Sequence, residues 1–508
     1  MNNNIKSSFI ALALLGFLVE TGGATLHYSP EGNSVTAVNG NYKFNRGLYG
    51  AHTGFRVDCS DTPEFGIYMP NMGGNMLFNL PAGDCRATYT PGKMEYKQSG
   101  VEMEVQVGRT SDMIIWRLHN ANSRPEKITF RYGGASGKRF SREGDLGVDK
   151  PDCFAFRKEN CMGNTYTRPS GKGGVTTVEF GTKTHYTARI LTCDANIKIN
   201  EYPALEGELS LAPGQTKYIA FIPGDKEYTC SELPQLFESA EKERKALAST
   251  VAFDAPEAWI RPVGGALAVA GDAIWSGEAW LHGSIGWRTP HLGWRGAYTG
   301  DAIGRHDRAR THFLNYSNNQ IDTIPAIYAH PQQDTALNLA RARKVWGTPM
   351  YSDGYICRRP GHRNEMSHYD MNLVYADAML RHFRHTGDTA TMRRLFPTLK
   401  RHLEWEKKNF DADGDGLYDA YCCIWASDAL YYNGGKVTHS SAYNAFANRL
   451  AAQVARRIGE DPSAYEAEAT KITNAIDSAL WIVEKGRWAE FQDCLLYTSP
   501  SPRDTERS

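Results

Sequence analysis

Several things are missing from this chain of 508 residues, and each absence removes a class of protein. Past the first 24 residues no stretch is apolar for the roughly 20 residues that a bilayer span needs, so no transmembrane segment is expected. There is no surplus charge: 57 Lys and Arg balance 57 Asp and Glu, and no global field draws the chain to nucleic acid or anionic lipid. The most basic stretch, from Arg393 to Lys408, also carries Leu395, Leu399 and Leu403, which reads as a helix with a solvated face and not as a nucleic-acid patch. Ten cysteines are present, yet no CxxC pair and no Cys/His ligand spacing occurs, so neither a zinc site nor a dithiol redox centre is expected.

What is present begins with an export signal. Lys6 precedes the short apolar run Phe9 to Val19, and the small residues Gly22, Gly23 and Ala24 follow. Residues 1–24 read as a secretory signal peptide, with the mature chain starting near Thr25 in a secreted or periplasmic compartment. Disulfides are permitted there. Cys153 and Cys161 can close a short loop, adjacent Cys422 and Cys423 cannot easily bond each other, and the pairing as a whole stays open.

The apolar period changes once. Over residues 25–252 it is mostly two: VEMEVQV at 101–107, MIIWRL at 113–118, ITFRY at 128–132, TTVEF at 176–180 and KYIAFIP at 217–223 are separated by Gly, Pro, Asn and Asp. This predicts an antiparallel β-sandwich-like domain, closed by one helix from Ser231 to Leu247. Residues 253–262 read as a linker. From residue 263 to 493 the period is helical: Leu373, Ala376, Leu380 and Phe383; Tyr443, Phe446, Leu450, Val454 and Ile458; Tyr465, Ala469, Ile472, Ile476, Leu480 and Val483. Gly387 with Asp388 or Thr389, and Gly459 with Asp461 and Pro462, mark short turns between helices. Short turns on one side and long connections rich in His, Arg, Asp and aromatics on the other predict a partial toroid of helical hairpins. Six or seven helices are expected where a six-hairpin toroid needs twelve, and residues 494–508 resemble translated sequencing-adapter sequence, so the chain is expected to be truncated and inactive as it stands.

Four clusters carry chemistry. Around Trp294, Arg295 and Asp301, the indole offers a stacking face and the carboxylate an acceptor, a catalytic group or a helix cap. Arg358, Arg359, Arg363, His368, Tyr369 and Asp370 form a second cluster; its guanidiniums suit a uronate or sulfate, or simply solvent. Asp411, Asp413 and Asp415 alternate with Gly as at the start of a calcium loop, although Cys422 stands where an EF-hand has Glu, so calcium is a minor expectation beside a plain turn; Trp425 and Asp428 follow in the same connection. Last, Glu490 sits between Trp488 and Phe491, where burial against a ring would raise a carboxyl toward the range of a general acid.

Residues 27–80, through LHYSP, VNGNYKFNRGLYG and FRVDCSDTPEFGIYMP, resemble a secreted module known as domain of unknown function 4450. The remainder, through HYDMNLVYADAML, HTGD, DADGDGLYD and GRWAEFQD, is similar to the six-hairpin glycosidase-like superfamily. The resemblance implies a secreted glycoside hydrolase with carbohydrate as its partner and carboxylates in a central cleft. It implies Glu490 as general acid, Asp428 as its competitor, and a base downstream of Asp493 unless Asp301 fills that role. Asp301, Asp370, Trp294, Arg295, Arg359, His368 and Trp425 are then sugar-binding, and no cofactor is required. Two alternatives stand: a polysaccharide lyase with Tyr369 or His368 as base and Arg359 on the uronate, against which the order of the domains argues, and a glycan-binding protein without catalysis.

Overall fold

The computed structural model describes residues 28–49, 55–69, 72–133, 156–161, 163–167, 175–179, 187–283, 289–293, 295–322, 353–362, 370–419, 436–492 and 497–498. A β-rich domain is followed by a helical one. The strands form two antiparallel sheets. One has the order β1 (Tyr28–Glu31), β2 (Ser34–Val38), β7 (Cys85–Thr90), β8 (Lys93–Gln98), β9 (Val101–Gly108), β10 (Met113–Asn120), β17 (Thr216–Pro223), β14 (Thr187–Leu191), β13 (Val175–Glu179), β12 (Thr165–Thr167). The other has the order β15 (Asn196–Ile199), β16 (Leu205–Leu211), β11 (Glu126–Gly133), β6 (Met72–Asn79), β5 (Glu64–Met69), β4 (Arg56–Cys59), β3 (Arg46–Tyr49).

The expected alternation is seen in β9, where Val101, Met103 and Val105 are fully buried and Glu102 and Glu104 point outward to Lys97 and Lys93. Between the sheets Phe65 packs edge-on to Tyr96 and Trp116, with centroids 5.7 and 5.6 Å apart, and Phe78 bridges Trp116 to Phe130. Buried aromatics of this size dominate a core's hydrophobic gain. MIIWRL breaks strict alternation because both faces of β10 are covered. Ile114, Trp116 and Leu118 face the other sheet, whereas Met113 and Ile115 meet Leu233 and Phe237 of helix α1 (Leu233–Ala248). That helix is the closing one expected from Ser231 to Leu247. Cys193 and Cys230 form a disulfide beside it, a pairing the sequence left open.

The second domain begins with α2 (Arg261–Ala273), two residues before the expected boundary, with Pro262 in its first turn. It continues with α3 (Arg295–Ala302), α4 (His306–Ser317), α5 (Asp370–Thr386), α6 (Thr389–Phe410), α7 (Thr438–Ile458) and α8 (Ser463–Ala479). The caps are those expected. Asp388 accepts hydrogen bonds from Ala390 and Thr391 at the start of α6, Gly459 adopts a left-handed φ of 83° after α7, and Asp461 accepts from Ser463. Val483 departs from its expected place on α8: the helix stops at Ala479, Leu480 is buried, and Val483 is 77% exposed in a following turn. Here a run of i, i+3 and i+4 spacings passed through a helix end.

Helices α3, α5 and α7 run in one direction and α4, α6 and α8 return. Arg310 of α4 reaches Asp388 at the start of α6, and Arg393 of α6 bonds the Ile458 carbonyl at the end of α7. At the opposite end of the pair, Asn444 near the start of α7 bonds Glu406 near the end of α6. The domain therefore has a short-turn end, with the turns at 303–305, 387–388 and 459–462, and a long-connection end. No described helix is long and apolar enough to cross a membrane.

The domains meet through charge as well as packing. Asp272 at the end of α2 is 2% exposed; it pairs with Arg109 from the β9–β10 turn and lies 2.8 Å from Arg308 of α4.

Candidate active site

The expected site residues divide between the two ends of the helices. At the long-connection end, Arg295 begins α3 and Asp370 begins α5; their side chains, and the whole of Trp294, His368, Trp425 and Asp428, lie outside the described residues. Gly293, just before α3, is pressed against the start of α5, since a Cβ there would lie 2.2 Å from the Met371 carbonyl oxygen. That contact brings the first and second sequence clusters to one place. The second cluster splits: Arg359 is exposed, and its carbonyl accepts from Asn319, whereas Arg358 is half-buried with Nη2 3.3 Å from His291 Nε2.

Asp301 sits at the other end. It lies in the last turn of α3, 7% exposed, with Oδ1 2.7 Å from His306 Nδ1 and 2.9 Å from His382 Nδ1. His382 is twelve residues along α5 from Asp370, about 18 Å of helix. Burial alone would raise the Asp301 carboxyl, but hydrogen bonds from His382 and His306 bring it below its ordinary value.

The third and fourth clusters meet on a small sheet at the long-connection end. Strand β18 (Lys436–Val437) pairs with a second two-residue strand, Phe491–Gln492 (here β21, after the hairpin of β19, Trp481–Ile482, and β20, Arg487–Trp488), and Asp419 bridges to Lys436 on its other side. The Thr438 amide donates to the Glu490 carbonyl, and the Val437 amide to that of Tyr418. The connection that carries Trp425 and Asp428 thus leaves from Asp419 and returns at Lys436, next to the strand that presents Glu490. Lys436 stands between Gln492 and Asp419 across the ladder. β21 also pairs with Tyr497–Thr498, so part of the segment expected to be a foreign or disordered tail adds a strand here.

Glu490 is half-buried, and the Trp488 ring has partners of its own. That ring is 49% exposed, stacks edge-on against Trp481 at 4.9 Å and donates to Asp477. Nearby, the Asp419 carboxyl is pushed up to about 6 by burial first and by neighbouring Asp413, Asp415 and Asp411, against the pull of Lys436. Asp419 closes the run DADGDGLYD and is not among the residues expected from sequence; its signal is its place at the exit of a turn already dense in acids.

Ligand oxygens of Asp411, Asp413 and Asp415 lie within 4.8 Å of one another, as a cation site would require. Lysines already answer them. Lys436 Nζ is 2.5 Å from Asp413 and 3.0 Å from Asp415, and Lys471 Nζ is 3.4 Å from Asp411. Asp411 and Asp415 also accept the Gly416 and Leu417 amides, as turn-forming aspartates do. The loop has the charge balance of a turn more than that of a calcium site.

With this geometry in view, comparison with known proteins adds the following. Residues 69–185 match a domain of unknown function (DUF4450), a stretch that covers the middle of the sandwich and overlaps residues 27–80 only at their end. No curated protein matches the sequence. Among solved structures, the fold is similar to that of a proposed kojibiose phosphorylase from human microbiome, at a TM-score of 0.50 and 8% identity over 92% of this chain and 72% of that one. A bacterial glucoamylase solved with acarbose is similar at a TM-score of 0.46 and 9% identity, over 87% and 70% of the two chains. At 8% identity what is shared with the first of these is the fold: a β domain followed by a toroid-like helical domain.

Proposed function

We propose that this chain is the β-domain and helical part of an exported glycoside hydrolase, acting on a polysaccharide or oligosaccharide by carboxylate acid/base catalysis. One observation carries the reading: a two-residue strand, Lys436–Val437, holds both the strand that presents Glu490 and the two ends of the connection that contains Asp428. Glycoside hydrolysis needs two carboxyl groups flanking one bond, one able to hold a proton. Glu490 and Asp428 are the candidates for the general acid, and Asp419 joins them because its surroundings favour the protonated form. Trp294, Arg295, Arg359, His368, Asp370 and Trp425 are assigned to holding the sugar, and Asp301 is released from that set to a structural role. The Cys193–Cys230 disulfide supports an oxidising compartment.

The test compares Glu490→Gln, Asp428→Asn and Asp419→Asn on a natural glycan and on an aryl glycoside with an activated leaving group. Loss of the acid costs about 10²–10⁴-fold in rate on the glycan and far less on the aryl substrate. If none of the three shows that selectivity, the acid lies elsewhere. Release of a sugar phosphate that depends on inorganic phosphate would replace hydrolysis by phosphorolysis, and an unsaturated product absorbing in the ultraviolet would make the protein a lyase.

A further inference from the structure

The β domain carries a cavity of about 220 Å³ on the outer face of the seven-stranded sheet, where Arg131 of β11, Glu206 of β16, and Asn200 and Tyr202 of the turn between β15 and β16 converge with Phe156. The turn is built to hold its aromatic outward. Asn200 Oδ1 accepts the amides of both Tyr202 and Ala204 at 3.0 Å, and Tyr202 stays 42% exposed. Asn200 Nδ2 then donates to Glu206 at 3.1 Å. The Arg131 guanidinium lies 5.3 Å from the Phe156 ring centroid and 2.9 Å from Glu206, whose other oxygen is 3.0 Å from Lys198 Nζ.

We propose that this cavity is a binding site for one neutral sugar ring. Three features select that ligand. The volume lies below the roughly 300–1,000 Å³ of sites that enclose drug-sized ligands, so it admits a single ring and leaves the rest of a chain on the surface. Charge balances locally, Arg131 and Lys198 against Glu201 and Glu206, so a uronate gains nothing by entering. Arg131 brings five N–H groups, with Nη2 turned to Glu206, and Glu206, whose oxygens already meet Arg131, Asn200 and Lys198, keeps about one lone pair; donors and an acceptor stand together, the pattern that vicinal hydroxyls satisfy. The ordered turn that carries Tyr202 lowers the entropy lost on binding. The inference does not rest on the hydrolase reading, because the site belongs to the other domain and has no part in the chemistry.

Affinity electrophoresis of the whole protein in gels containing amylopectin, galactomannan, arabinoxylan or polygalacturonate tests it. Retardation is expected in at least one neutral gel, lost in Tyr202→Ala and in Arg131→Gln. It should be kept in Tyr202→Phe, which preserves the ring, and in Lys127→Ala, at the far end of β11. Glu490→Gln should be retarded like the parent, so failure of the proposed catalysis and failure of this site are read separately. The proposal is overturned if no neutral gel retards the protein, if only polygalacturonate does, if retardation survives Tyr202→Ala and Arg131→Gln, or if Tyr202→Phe loses it.

Discussion

The two ends of the helical domain use the same residue types to opposite effect. At the short-turn end Asp301 is buried and well served: His306 and His382 bond it, and its carboxyl is held below the ordinary value. At the long-connection end Asp419 is half-buried near three other aspartates, two of which already pair with Lys436, and its carboxyl is pushed up to about 6. A carboxylate with its partners in place stabilises the fold. One that has lost water and faces like charges is suited to carry a proton. Where an acid lies along a helix is therefore a weaker guide to its role than what answers it.

The contrast can be broken by substitution. The largest effect expected is on rate, at the long-connection end, by the about 10²–10⁴-fold loss already stated for the acid. If Asp419 is that acid, activity falls as pH rises above about 6, because the protonated form is used up, and Asp419→Asn removes that limb from the pH–rate profile.

Next is a pH effect on stability from His312. It is fully buried; its Nδ1 accepts the Trp280 amide, its Nε2 lies 2.9 Å from the Leu292 carbonyl, and burial lowers it to about 4. The unfolded chain takes up this proton near the ordinary value, the folded one only near 4. Stability from this group is therefore complete above the ordinary value and is lost as pH falls from there toward 4, on the order of 3 kcal/mol. Denaturant titrations at pH 7 and pH 4.5 should show that loss shrinking in His312→Gln.

Smaller again, Asp301→Ala should cost about 2 kcal/mol by stranding His382 in the core, with turnover kept within about tenfold. A rate loss matching that of the catalytic acid, with stability intact, would return Asp301 to the active site. Its own linkage runs the usual way for a lowered carboxyl: the contribution is present above the unfolded value and is lost as pH falls below it. The smallest effect is at the acidic turn. Lys436→Met should cost about 1 kcal/mol, and calcium should then raise the melting temperature, which in the parent neither calcium nor a chelator moves. A parent protein stabilised by calcium would show the turn to be a metal site after all.

What could be read from residues alone follows the range of the interaction. Alternation from Val101 to Val105 and the caps at Asp388 and Gly459 are local, and they are found as read; Gln106, a polar position of the same run, is buried instead. The order of a β domain before a toroid-like helical one follows from the single change of period. The partners of polar groups are not local. His382 stands 81 residues from Asp301, Lys436 23 from Asp413, and Cys230 37 from Cys193. Trp488 shows the same limit at close range: it neighbours Glu490 in sequence, and strand pairing commits its ring to Trp481. Residues 363–369 and 420–435, with His368, Trp425 and Asp428, lie outside the described residues, so their expected roles stand as proposals.

The Asp272 node has a consequence for the protein as a physical object. One carboxylate, 2% exposed, is shared by Arg109 of the β domain and Arg308 of the helices. Gly264 and Gly265 of α2 fit so closely against the Val251 carbonyl and Pro91 that a Cβ would lie 2.8 and 3.0 Å away. A protease that nicks the chain at 253–257 cuts a covalent bond but not this joint. Separating the pieces would leave Arg109 without its acid and open the α2 contact to water. The nicked protein should run as two bands on a denaturing gel and as one particle on a sizing column, until salt and denaturant together loosen the node.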